Sequence, residues 1–151
     1  MRILGIRTAP QQIRYAIVES ASGACSLLNA EGENLIRKPA HVEEAAAHLN
    51  WVKDELHRVI RQNPGLDVIA LKTPEFQGSK TSASRFGDYL DAVVLLVAAE
   101  AAIPVVTKLY SQMATRRSDV ARHAEDRVGR TVTNWNDQMA DAVAVAWIAQ
   151  K

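Results

Sequence analysis

Residues 2–19, RILGIRTAPQQIRYAIVE, contain the pattern that decides the fold. Two short runs rich in β-formers, Arg2–Arg7 and Arg14–Glu19, are separated by a connection of hairpin length that contains Pro10. Runs of this length and composition on either side of a short turn are typical of neighbouring antiparallel strands. These residues are therefore predicted to form a β-hairpin.

The rest of the chain alternates between helical and extended patterns. Between Val42 and Gln62, apolar residues recur at spacings of three and four, which predicts an amphipathic helix. Asp67–Lys72 is a compact apolar run, typical of a buried central strand. Further elements are predicted within 24–37 (one strand, in a run that Gly32 interrupts) and at 82–102 (helix), 103–109 (strand), 111–130 (one or two short helices) and 137–150 (helix). This order predicts a single α/β domain, residues 1–151, with a mixed five-stranded sheet flanked by helices.

Charge and cysteine content exclude several classes of protein. The chain has 151 residues, 18 Lys and Arg against 17 Asp and Glu, and one cysteine, Cys25. A chain-wide attraction to nucleic acid is therefore absent, and binding to DNA or RNA would require a local basic patch. One cysteine permits no intrachain disulfide, and the longest apolar run, Ala92–Ala99, is too short to cross a bilayer. We expect a cytoplasmic protein without a membrane partner.

Three separated segments resemble the RuvC-like resolvases of the ribonuclease H-like superfamily. The hairpin segment is similar to the RuvC opening, in which a strand containing glycine precedes a second strand with an aromatic residue. Residues 68–87, VIALKTPEFQGSKTSASRFG, look like the family's fourth strand and the loop into its central helix, and residues 137–149, DQMADAVAVAWIA, resemble its last helix. The chain also resembles a short uncharacterised bacterial family of RuvC-related domains of unknown function. The resemblance implies a ribonuclease H-like fold with a site for phosphodiester hydrolysis.

The residues at the metal-binding positions of that family are changed in this chain. Two-metal hydrolysis needs several carboxylates to hold a pair of Mg²⁺ ions, and the positions that correspond to them are Arg7, Lys72, Gln138 and Asp141. Since only Asp141 is acidic, we expect Arg7 and Lys72 to repel metal ions and to neutralise Asp141 by ion pairing. The sequence thus predicts a catalytically degenerate domain, a pseudonuclease, with no cofactor.

A shifted arrangement of acids is an alternative. Asp137 lies four residues before Asp141, on the same helical face, and Glu75 follows Lys72 by three positions. If Arg7 and Lys72 pointed away, a cluster of Glu75, Asp137 and Asp141 could hold Mg²⁺. The chain would then be an active nuclease that depends on a divalent metal.

Basic residues supply the candidate contacts to DNA or RNA. The predicted phosphate contacts are Lys80, Lys108, Arg116, Arg117 and Arg122. The alternative is a solvated helical face whose bases pair with its own acids, Asp119 with Arg122 and Asp126 with Arg130. The Gly-Ser-Lys-Thr string at 78–81 lacks the first glycine of a P-loop, so capping of the next helix is its expected role.

The second predicted helix contains more apolar residues than one buried face needs. If one face of the helix is buried, its run AVVLLVAA at 92–99 still has apolar side chains on other faces. Related resolvase domains form dimers through helices. This surplus predicts a homodimer contact through residues 82–102, and burial between the sheet and the first helix is the alternative explanation. A third hypothesis follows, in which the chain is a dimeric scaffold that binds another protein and no nucleic acid.

Overall fold

A mixed sheet covered by helices on both faces is formed by residues 1–76 and 78–151, the part of the chain that the computed structural model describes. Its strands are β1 (Arg2–Thr8), β2 (Gln12–Ala21), β3 (Ala24–Leu27), β4 (Leu35–Arg37), β5 (Val68–Lys72) and β6 (Val105–Lys108). Its helices are α1 (Ala45–Gln62), α2 (Ser82–Glu100), α3 (Val120–Arg127) and α4 (Asp137–Ala149), with a short 3-10 helix at Tyr110–Met113. The predicted α/β class is confirmed.

The strand order places three carboxyl ends side by side. The sheet runs β3-β2-β1-β5-β6, and β4 also pairs with β2. The hairpin of β1 and β2 is antiparallel, with Arg7 opposite Arg14, whereas β5 is parallel to both β1 and β6. Because β1, β5 and β6 all point the same way, Arg7, Lys72 and Lys108 lie along one edge of the sheet.

The segment 24–37, where one strand was predicted, contains two strands, so the sheet has six strands instead of five. β3 pairs with the second half of β2 and β4 with its first residues. Between them, the Asn29 side chain accepts from Ile17 N at 2.8 Å and donates to Glu33 O at 2.9 Å. An amide that bonds the backbone in this way replaces ladder hydrogen bonds and turns the chain, which interrupts the strand.

Helix boundaries differ from the predicted ones by a few residues. α1 begins at Ala45 instead of Val42, because Val42 N bonds Pro39 O and Lys38 Nζ donates to Val42 O, which holds residues 38–42 in a turn. α2 ends at Glu100 instead of Ala102. Within the described residues, no helix combines the length and hydropathy that a bilayer crossing requires.

The two faces of the sheet are packed with side chains of different size. One core, against α1 and α2, is built mainly from large aliphatic residues such as Leu4, Ile6 and Leu56. The other core, against α3 and α4, is rich in alanine. Its buried alanines are Ala16, Ala70, Ala124, Ala140, Ala142, Ala144 and Ala146. Small side chains on both surfaces allow α4 to lie close to the sheet.

Gly5 marks the closest approach of α4 to the sheet. A Cβ at this position would lie 1.9 Å from Ala142 O and 2.9 Å from Ala146 Cβ. The backbone oxygen of a helix cannot move aside as a flexible side chain can, so only glycine fits this position of β1. This contact sets the distance between α4 and β1. It thereby fixes the position of Asp141, which directly precedes Ala142 in the helix.

Gly5→Ala is expected to lower the free energy of unfolding by about 3 kcal/mol, because α4 must shift away from β1 to admit the methyl group. Gly87→Ala in α2 is the matched control. No atom lies within 4 Å of its added Cβ, and replacing a helical glycine by alanine should raise stability by up to about 1 kcal/mol. Urea denaturation of both variants measures the two effects. Equal stability of Gly5→Ala and the native chain would show that α4 is not held at this height.

Candidate functional site

The ends of β1 and β5 meet the first turns of α4, and this junction brings Arg7, Lys72 and Asp141 together. Arg7 is the penultimate residue of β1, and its Nε lies 3.2 Å from Oδ2 of Asp141. This is an ion pair without a directed hydrogen bond, since the buried Arg7 Nε has no hydrogen-bond partner among the described residues. The guanidinium neutralises a carboxylate that is 1% exposed.

Tyr110 is the second partner of Asp141. Its hydroxyl donates to Oδ1 of Asp141 at 2.7 Å. Burial raises the pKa of Asp141 above its usual range, and the Tyr110 hydrogen bond and the charges of Arg7 and Lys72 offset only part of this effect. Burial and the bond to Asp141 also raise the pKa of Tyr110, so its hydroxyl keeps the proton that it donates.

Lys72 is buried beside this pair and has its own acidic partner. It is 1% exposed, and its Nζ donates to Thr73 O at 2.5 Å and to Glu75 Oε1 at 3.2 Å. The same Nζ lies 3.9 Å from the centre of the Tyr110 ring, a cation–π contact. Burial lowers the pKa of Lys72, and its acidic neighbours offset this in part.

Glu75 completes the charge balance. Desolvation acts to raise its pKa, but the Tyr110 N–H, which donates to Oε1 at 2.7 Å, and the Lys72 ammonium lower it below the usual range. We call Arg7, Lys72, Glu75, Tyr110 and Asp141 the charge cluster. Its two cations face two carboxylates, so its charge is balanced by its own side chains.

These residues do not fit the two-metal centre that the resemblance implies. Mg²⁺ prefers carboxylate oxygens, whereas both oxygens of Asp141 already have partners. Within residues 1–76 and 78–151, no three His, Cys, Asp or Glu side chains lie close enough to share a metal ion. The shifted cluster of Glu75, Asp137 and Asp141 therefore has no support in the geometry.

Sequence reasoning missed two buried charged residues beside the charge cluster. Arg14, on β2, is 6% exposed and donates from Nη1 to Oε1 of Gln138. Asp91, on α2, is 8% exposed and accepts from Thr8 Oγ1 at 2.5 Å. Asp91 follows Leu90 directly in an apolar helix, and a charge at a position predicted to be buried is the signal that could have found it. Arg14 begins its predicted strand, so no such signal marks it.

An open groove of about 760 Å³ runs along the sheet edge beside the charge cluster. Its polar lining includes Arg7, Asp91 and Gln138, and its apolar lining includes Phe76 and Leu95. Phe76 is 92% exposed, which is unusual for a large aromatic side chain. The groove thus offers both polar contacts and an exposed aromatic ring.

The predicted basic residues are spread over different surfaces. Lys80 lines the groove and forms an ion pair with Asp88. It directly precedes Thr81, which caps α2 in a capping box with Ser84. Lys108 lies on β6 next to Lys72 in the sheet register and is half-buried.

Arg116, Arg117 and Arg122 lie outside the groove lining and are exposed. The predicted pairing in this segment was wrong in its partners. Asp119 pairs with Arg116 at 2.6 Å instead of Arg122, and Asp126 lies 3.9 Å from Arg122 instead of pairing with Arg130. Arg116 precedes α3, and a turn in which Asp119 N donates to Arg116 O brings the two side chains together.

Comparison with solved structures identifies the architecture. RuvC of Thermus thermophilus, determined in complex with a Holliday junction substrate, superposes with a TM-score of 0.79 over 98% of this chain and 92% of that protein, at 20% identity. This chain has the ribonuclease H-like fold of RuvC. The yeast mitochondrial Holliday junction resolvase gives 0.64 at 16% identity, covering 99% of this chain and 79% of that one. The fowlpox virus resolvase, in complex with junction DNA, gives 0.56 at 14% identity over 99% and 98%.

Comparison of sequences finds no relative of this chain, whereas comparison of structures does. No family model and no curated protein matches this chain. Identities of 20% or less show the shared fold and leave the activity open. The resemblance to the short bacterial family stays a prediction.

Arg7→Ala should lower the free energy of unfolding by about 3 kcal/mol at pH 7, because it leaves Asp141 buried without its counter-charge. The double variant Arg7→Ala/Asp141→Asn should recover part of this loss, since it removes the orphaned charge as well. Urea denaturation of the four proteins gives the coupling energy. Strictly additive losses would mean that the two side chains do not interact.

The free energy of unfolding should fall as pH rises from about 4 to about 6, because Asp91 loses its proton in this range. Burial raises the pKa of Asp91 to about 6, so the folded state holds a proton that the unfolded state has released, and the stability present below the unfolded pKa is lost through this range. Asp91→Asn should remove on the order of 2–3 kcal/mol of this pH dependence. Denaturation at several pH values measures it, with the exposed Asp54→Asn as control; identical pH profiles for Asp91→Asn and the native chain would contradict the assignment.

Proposed function

We propose that this chain is a catalytically degenerate RuvC-like domain, a pseudonuclease that binds nucleic acid without cleaving it. The Arg7–Asp141 ion pair carries the proposal. In the RuvC resemblance, both residues of this pair stand where a metal-binding carboxylate is expected. Arg7 is the counter-charge of Asp141, the one acid that remains. Lys72 adds a second buried cation at a third of these positions. A divalent cation would meet two positive charges there and one shielded carboxylate.

The groove supports a role in binding nucleic acid. Arg7 and Lys80 both line it, and both could contact backbone phosphates. The exposed ring of Phe76 at the groove could stack on an unpaired base, a contact that tolerates any sequence. Two of the similar structures, those of Thermus thermophilus and fowlpox virus, contain Holliday junction DNA. A branched or distorted duplex is therefore the first ligand to test.

The dimeric scaffold is a second candidate, favoured by the outer face of α2. Tyr89 and Leu96, seven residues apart and therefore on one face of this helix, are 46% and 52% exposed, whereas Leu95 lines the groove. Such a patch is suited to a homodimer through residues 82–102. A dimer through α2 is compatible with the pseudonuclease, whereas a pure scaffold would leave the groove unused.

Binding and cleavage assays separate the candidates. The native chain should bind a four-way DNA junction without Mg²⁺ and leave it uncut with Mg²⁺ or Mn²⁺. If about three phosphates are contacted, affinity should fall roughly 40-fold between about 50 mM and about 200 mM salt. A linear duplex and an RNA–DNA hybrid serve as comparison ligands, and Phe76→Ala should weaken binding where bases are unpaired.

A reversion variant provides the matched control for the metal. Arg7→Asp/Lys72→Glu/Gln138→Asp restores the acids of the resemblance and should gain saturable Mn²⁺ binding in a calorimetric titration. The proposal fails if the native chain cuts a substrate with Mg²⁺ and Asp141→Asn abolishes the cut, which would establish the active nuclease. Absent or salt-insensitive binding would favour the scaffold.

A further inference from the structure

Arg14 is a buried cation without an acidic partner. It is 6% exposed, and no Asp or Glu among the described residues lies within ion-pair distance of it. Its one hydrogen bond in this part of the chain goes from Nη1 to the neutral amide oxygen of Gln138, and its buried Nε has no partner there. Lys72 shows the contrast, since that equally buried cation is paired with Glu75.

The neighbours of Arg14 increase its positive charge density. Arg7 is its direct partner across the hairpin, and Arg37 on β4 pairs with Gln12, two residues before Arg14. Side chains alternate along a strand, so Arg7, Arg14 and Arg37 all point to the α4 face of the sheet. Burial lowers the pKa of Arg14, and Arg37 and Arg7 lower it further. Like charges on adjacent strands destabilise the sheet unless an anion lies between them.

We propose that this row of three side chains, Arg7, Arg14 and Arg37, is a receptor for one phosphoryl group. We call it the arginine row. The inference rests on the proposed function when the phosphoryl group belongs to a nucleic-acid backbone, and a free phosphate or phosphate monoester offers the same chemistry. Arg7 keeps Asp141 as its counter-charge, and an anion there would supply the one that Arg14 and Arg37 lack among the described residues.

The position of Gln138 links the arginine row to the groove. Gln138 and Arg7 both line the groove. The amide oxygen of Gln138 accepts a hydrogen bond from Nη1 of Arg14. An anionic phosphoryl oxygen is a stronger acceptor than a neutral amide, so it would replace this oxygen and engage the guanidinium in paired hydrogen bonds.

The first turn of α4 adds a weaker attraction. Asn136 caps the helix at Met139 N, while the N–H groups of Asp137 and Gln138 have no acceptor within the described residues. Free N–H groups at a helix N-terminus favour an anion. The carboxylate of Asp137 opposes it, but Asp137 is exposed and is not among the groups that shift the pKa of Arg14.

The test uses inorganic phosphate as the probe, with chloride at equal ionic strength as reference. Phosphate should raise the midpoint of thermal unfolding of the native chain saturably, and Arg14→Met should abolish this response. In chloride alone Arg14→Met should unfold at higher urea concentration than the native chain, because an apolar side chain of similar length replaces an unpaired buried charge. A merely structural arginine would give the opposite shift.

Two further variants keep the test decisive. Arg37 is exposed, so Arg37→Gln should fold normally and weaken phosphate binding several-fold. Arg61→Gln, on the exposed last turn of α1, makes the same charge change far from the arginine row and should behave as the native chain. An unchanged phosphate response in Arg14→Met or Arg37→Gln, or a native chain that phosphate does not stabilise, overturns the inference.

A four-way DNA junction separates this inference from the proposed function. Arg14→Met should weaken junction affinity about tenfold or more, as loss of a charged hydrogen bond does. If phosphate binds through Arg14 and no oligonucleotide binds, the arginine row is supported and the proposed function fails. If the junction binds the native chain and Arg14→Met equally well, the proposed function stands and the inference is overturned.

Discussion

The close contact between Gly5 and the backbone of α4 is the constraint on which the site depends. Because Ala142 O lies where a side chain of β1 would otherwise be, α4 rests directly on the sheet. Asp141 then reaches the end of β1, where Arg7 meets it at 3.2 Å. A helix held a few ångströms higher would leave both charges buried and apart, so packing and electrostatics are set by the same contact.

The charge cluster shows how a fold can hold a buried acid with its own side chains. A buried carboxylate needs a counter-charge, and a fixed guanidinium supplies it without an ion from solution. Tyr110 connects the two halves of the charge cluster, because its hydroxyl bonds Asp141 while its backbone N–H bonds Glu75. Arg7 shares in this balance, whereas Arg14, the next arginine of the row, has no acidic partner among the described residues.

Sequence patterns predicted most of the elements, and the resemblance to RuvC implied the meeting of Arg7, Lys72 and Asp141. Neither indicated Tyr110 or Arg14. Tyr110 lies in a short 3-10 helix within a polar segment, where no periodicity indicates which side chain turns inward. Arg14 looked like the first polar residue of a strand. Its burial depends on α4, whose residue Gln138 contacts it from 124 positions further along the chain. Asn29 split a predicted strand through side-chain bonds that composition does not reveal.

The distance along the chain between β1 and α4 has a kinetic consequence. Arg7 and Asp141 come from opposite ends of the sequence, and the β1–α4 interface is among the most extensive in the molecule. Contacts of such large sequence separation slow folding, because a long loop must close before they form. During synthesis the hairpin and β5 would wait with an uncovered alanine-rich face until α4 left the ribosome. The groove and its charge cluster therefore form only once α4 has docked on the sheet, late in folding.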